Sequence, residues 1–135
     1  MSPIKKFRDL EVWNLAMSLT IQSYRATESF PQSERYGLIA QIRRAAASIP
    51  ANLAEGHGRS PKTFRNHVSI AIGSQAELDT LFELGFRLNY LTTETYNALE
   101  EPVRRTGQML HGLERSLRPQ PKTSETCVNN WARTR

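Results

Sequence analysis

Cysteine is all but missing. Cys127 is the only one in 135 residues, so no disulfide can form within one chain, and a reducing, cytoplasmic setting is the expectation. Long apolar runs are missing too. None approaches the roughly 18 consecutive residues that mark a membrane-spanning helix. The opening MSPIKKFRDLEVW carries basic charge without the apolar stretch or small-residue cleavage site of a signal peptide. A membrane partner is therefore not expected. Strand-like alternation does not stand out anywhere, which leaves an all-α fold as the reading.

Signatures of catalysis are equally scarce. His57, His67 and His111 share no metal-ligand spacing with one another or with carboxylates. Di-iron bundles use Glu-x-x-His pairs, whereas Glu114 follows His111 in the reverse order and stands alone. The nearest approach to a phosphate loop runs from Gly56 to Thr63. It has Pro61, which lacks an amide hydrogen, where glycine must precede the Lys62-Thr63 pair. Ser60 to Thr63 is either an anion-binding helix start or an ordinary capped one. No serine has the context of a nucleophile, and Cys127 has no evident base. The expectation is a protein without catalytic residues, metal or cofactor.

What the chain does have is helical period and a mild positive excess, net charge +5 with a pI near 9.8. Its 39% hydrophobic content suits a single globular domain with a slightly thin core. Asp9 is the expected N-cap of a first helix. One face of that helix carries Leu10, Trp13, Met17, Thr20, Tyr24 and Thr27, and another carries Val12, Leu15, Leu19 and Ala26. Phe30-Pro31-Gln32-Ser33 is a turn, and a second helix is expected from about Glu34 to His57, closed by Gly56-His57-Gly58. Ser60-Pro61 restarts the chain into a third helix reaching about Asn89. It has one stripe of Phe64, Val68, Ala71, Gln75, Leu78, Phe82 and Gly85, and a second of Ile70, Leu81, Leu84 and Leu88. Thr92 caps a fourth helix whose apolar residues run from Tyr96 to Leu117 at heptad spacing. Four helices with short connections predict an antiparallel up-down-up-down four-helix bundle over residues 1–118. The unpatterned residues 119–135, with Trp131, predict a flexible tail. Apolar stripes on more than one side of a helix imply either a second subunit or a helix well covered within its own chain.

The second helix is unusual. Leu38, Ile42, Ala45, Ile49, Leu53 and Gly56 form its apolar face, while Gln41, Arg44, Ser48, Asn52, Glu55 and Arg59 form a polar stripe beside it. Gln, Ser and Asn point to a half-buried, internally paired stripe, the alternative being a solvated face. Ser74 and Glu77 of the third helix are placed to meet it, and Arg43 or Arg44 is expected to pair with Glu77. Pro50 predicts a kink or break, and Pro102 a local bend in the fourth helix. Basic residues cluster at Lys5, Lys6 and Arg8, at Arg59, Lys62 and Arg65, and at Arg104 and Arg105. The last five are candidates for contacting nucleic-acid phosphates, the alternative being charge for solubility.

The segments FRDLEVWNLA, FPQSERYGLIAQIRRAAASIPANLAEGHGR and IGSQAEL resemble the bacterial four-helix bundle family known from intervening sequences in 23S ribosomal RNA genes. The resemblance spans about residues 7 to 117. Arg43, Arg44, Asn52, Glu55 and Glu77 match its pattern, and Gln75 departs from it. The resemblance implies a four-helix subunit assembled into a ring-shaped homopentamer. It also implies a fold similar to the pentameric accessory protein of diversity-generating retroelements, which binds a reverse transcriptase and nucleic acid. RNA or DNA, and a protein such as a polymerase, are thus implied partners; a protein–protein scaffold without nucleic acid is the alternative.

Overall fold

Where the three- and four-residue spacing is strongest, helices form. A computed structural model describes residues 6–120; Lys5, Cys127, Trp131 and the segment 121–135 lie outside the described residues. Helix α1 is Glu11–Thr27, α2 Leu38–Gly56, α3 Pro61–Arg87 and α4 Thr93–Ser116, with 3-10 turns at Phe7–Asp9 and Gln32–Glu34. No strand occurs among the described residues. Each helix packs on its two neighbours: α1 on α2 and α4, and α3 on α2 and α4, most extensively between α2 and α3. The pairs α1/α3 and α2/α4 therefore lie on the diagonals of a four-helix bundle.

Leu19, Ile42, Ile49, Leu53, Val68, Leu78, Phe82, Val103 and Leu110 are fully buried along the axis. The buried hydroxyls are satisfied locally. Ser23, Thr27 and Thr106 each donate to the carbonyl four residues back, at 2.7, 3.0 and 2.7 Å. The doubled stripes are only partly left open: Leu10 and Thr27 of the first α1 stripe are buried, and Trp13 and Thr20 are half-buried. On α1, Val12, Ala16 and Leu19 are buried while Met17, Ile21 and Tyr24 are exposed. On α3, Val68, Ala71 and Leu78 are buried, and Ile70, Leu84 and Leu88 are 52%, 43% and 45% exposed; Leu81 is covered.

Several boundaries differ from expectation. Asp9 does not cap α1. Its carboxylate accepts from the Lys6 amide at 3.3 Å within the preceding 3-10 turn, and α1 begins two residues later without a side-chain cap. Helix α2 starts at Leu38 rather than Glu34, because Gly37 (φ −101°, ψ −111°) leaves helical space. Glu34 instead accepts from the Leu38 amide at 3.4 Å. At its other end the positive φ falls on Gly58, at 82°. Gly56 serves close packing: a Cβ there would stand 2.7 Å from the His67 Cβ. Helix α3 ends at Arg87, and just beyond it Asn89 takes the left-handed region (φ 64°), with Tyr90 N–H to Gly85 O at 2.9 Å and Asn89 N–H to Phe86 O at 3.0 Å. Ser60 and Thr92 cap α3 and α4 as expected, accepting from Thr63 and Thr95 amides at 3.2 and 3.1 Å.

Of the kink or break expected at Pro50, the break does not occur; α2 runs through it. Proline leaves the Ala46 carbonyl without its helical donor, and the Thr20 hydroxyl of α1 lies 3.1 Å from that oxygen. The same hydroxyl is 2.8 Å from the Ala16 carbonyl, so one hydrogen is shared between two acceptors. Helix α4 likewise continues through Pro102.

Candidate nucleic-acid interface

The polar stripe of α2 is paired in its middle and bare at its start. Ser48 Oγ lies 2.8 Å from Ser74 Oγ on α3. Asn52 donates through Nδ2 to the Ser48 carbonyl at 2.8 Å, and its Oδ1 lies 3.1 Å from His67 Nδ1. Glu55 closes the row 3.7 Å from the same ring nitrogen. The side chains of Gln41 and Arg44 are exposed and make no hydrogen bond with a described residue, although the Gln41 amide donates to the Gly37 carbonyl at 3.0 Å. The expected pairing with Glu77 is absent. Arg43 turns the other way, donating to Thr27 Oγ1 at 3.0 Å and the Tyr24 carbonyl at 3.3 Å, and stacks 4.6 Å from the Tyr24 ring centre. Glu77 is exposed, without an ion pair to a described residue. The network therefore staples α2 to α3.

The basic residues gather at one end of the bundle, where α1 and α3 begin and α2 and α4 finish. Arg59 in the α2–α3 turn and Lys62 in the first turn of α3 are exposed, with no ion pair to a described residue. Lys6, Arg8, Arg115 and Arg118 belong to the same end. Arg65 sits 3.5 Å from Glu114, which also accepts two hydrogen bonds from Arg118 Nε, at 2.8 and 3.0 Å. Arg118, then Arg65, hold the Glu114 carboxyl below the usual carboxylate range. Glu114 and Arg118 were overlooked as a site in the sequence, although their four-residue spacing is a recognisable helical ion-pair signal.

The other two candidates are not brought there. Arg104 is tied to Glu101 at 2.6 Å, and Arg105 reaches across to Glu11 of α1 at 3.1 Å. Arg104 also borders an α3–α4 groove with Asp79, Glu100 and His111. Burial, then the neighbouring Asp79 carboxyl, pushes Glu100 up from the usual range. Its Oε1 is the one buried side-chain oxygen or nitrogen without a partner among the described residues. Next to it the Tyr96 hydroxyl donates to Glu83 Oε1 at 2.7 Å, a bond that raises the phenol; Arg87, then this bond, lowers Glu83. No group of three or more metal-ligating side chains occurs among the described residues, and no helix there is long and apolar enough to cross a membrane.

A family model described as 23S rRNA-intervening sequence protein matches residues 8–112. No curated protein matches the chain. Five chains of solved structures match it. One is a protein of unknown function from Bacteroides thetaiotaomicron, ascribed to the S23 ribosomal protein family. It shares 22% identity with a TM-score of 0.68, over 76% of this chain and 97% of that one. That likeness extends to the fold.

Proposed function

The chain belongs to the 23S rRNA-intervening sequence protein family, and from that premise we propose that it is a cytoplasmic, non-catalytic bundle that assembles with copies of itself and binds nucleic acid through its basic end. The observation that carries the binding is that Arg59 and Lys62, both at the α2–α3 junction, are exposed and make no ion pair with a described carboxylate. Phosphate contacts need such free cations, and they give affinity without sequence preference.

Self-assembly rests on the two apolar sides. Met17, Ile21 and Tyr24 lie on α1, and Ile70, Leu84 and Leu88 lie on the diagonally opposite α3. Two different patches facing apart favour head-to-tail contacts, which close into rings when the rotation between neighbours closes. A ring of five, the number the family resemblance implies, with bundle axes side by side would bring the basic ends onto one face.

Filter binding of single-stranded RNA and duplex DNA at low and moderate salt tests the reading. Retention should fall steeply with salt, and fall again for Arg59→Ala combined with Lys62→Ala. No retention at low salt removes nucleic acid from the function. That result would leave a protein–protein scaffold, the reading favoured by the neutralisation of Arg65, Arg104 and Arg105 within the subunit.

A further inference from the structure

Between the first turns of α3 and the last turn of α4 is a recess of about 640 Å³. Lys62, Arg65 and Arg118 line it, with Ser116 and the apolar Leu117 and Pro119. One carboxylate, Glu114, holds both arginines, and its side chain is only 12% exposed. The holding is economical with donors. Arg118 engages Glu114 through Nε and Arg65 through one terminal nitrogen, while a guanidinium has five N–H groups. The remaining donors and the Lys62 ammonium are free of Glu114. Three cations against one carboxylate leave the recess positive.

The start of α3 adds little by itself. Pro61 has no amide hydrogen, and the Thr63 and Phe64 amides are taken by the Ser60 hydroxyl and carbonyl. The side chains are the ligands.

We propose that this recess seats one phosphate of a nucleic-acid strand, with Lys62, Arg65 and Arg118 contacting it and Glu114 positioning the two guanidinium groups. The assignment of a strand rests on the nucleic-acid reading above; the anion chemistry stands on the recess alone. Glu114 is then an acidic residue whose removal weakens the binding of a polyanion. Simple charge arithmetic predicts the opposite.

Fluorescence anisotropy of the full chain with a labelled single-stranded RNA decamer tests this. Glu114→Gln should weaken binding roughly fivefold, about the worth of one ordinary hydrogen bond, although it makes the protein more positive. The dependence on salt should shallow by about one ion, as for a lost phosphate contact. Arg118→Lys should weaken it similarly, because an ammonium lacks the planar fork. Arg115→Ala, which removes a charge that forms no ion pair with Glu114, should cost less than either. Binding by Glu114→Gln as tight as or tighter than the unmodified chain overturns the proposal. Should that variant lose helicity by circular dichroism, Arg118→Lys decides in its place. Absence of any RNA binding by the unmodified chain refutes the nucleic-acid reading. The recess is then judged with inorganic phosphate alone: a saturable movement of the Arg118 Nε–H resonance upholds the anion site, and no movement rejects it.

Discussion

Single side chains settle points that composition leaves open. Thr20 is one. Ala46 is fully buried and its carbonyl has lost its helical donor to Pro50, so the Thr20 hydroxyl is what pairs it. Thr20→Val should cost about 1–3 kcal/mol, the range for a buried acceptor left unsatisfied. In a Pro50→Ala background the loss should shrink, because residue 50 then supplies an amide. Urea denaturation of the four proteins at one concentration checks the cycle. Glu100 makes a second case. Its folded carboxyl titrates above its unfolded value because of burial and Asp79, so its contribution is greatest below the unfolded value and is lost as pH rises through the folded one. Glu83 and Glu114, lowered by arginine partners, act in the opposite sense: their contribution is present above the unfolded value and lost as pH falls through the folded one. Glu100→Gln should therefore raise the thermal midpoint at neutral pH and flatten its decline as pH rises through the folded titration of Glu100. An unchanged or lower midpoint would contradict that assignment.

At the scale of elements, much was legible. Four helices, the Ser60 and Thr92 caps, the Ser48–Asn52 row and its approach to Ser74 all follow from spacing, which encodes which residues share a face. What spacing does not encode is partner geometry. Arg43 chose Thr27 and the Tyr24 ring on α1 over Glu77 on α3, a choice set by how the helices are rotated. Asp9 was a plausible cap in sequence, yet the chain spends it on the preceding turn. Of the kink or break expected at Pro50, no break occurs, and the carbonyl that proline orphans is met by a hydroxyl on another helix, which no local pattern reveals. Two tests belong here. Ser60→Ala should cost about 1 kcal/mol through loss of the α3 cap. Gly56→Ala, which drives a Cβ to 2.7 Å from the His67 Cβ and 3.0 Å from the Phe64 ring, should cost about 1–3 kcal/mol by overpacking α2 against α3.

For the molecule as a whole, the excess of apolar stripes seen in the sequence corresponds to side chains that one copy leaves uncovered on α1 and α3. Light scattering should report a mass several times the 15.4 kDa subunit, and Leu84→Lys with Leu88→Lys should reduce it. A solitary subunit at micromolar concentration would refute the assembly. The diagonal placement of the two patches carries one further consequence. In the head-to-tail assembly proposed above, a copy with its α3 side disabled still offers its α1 side, so it would join a growing row but could not be followed. Such a copy is a terminator. Mixed in as a minority, it should leave short open fragments in place of closed rings, so a small dose should disable far more than its own share of the protein.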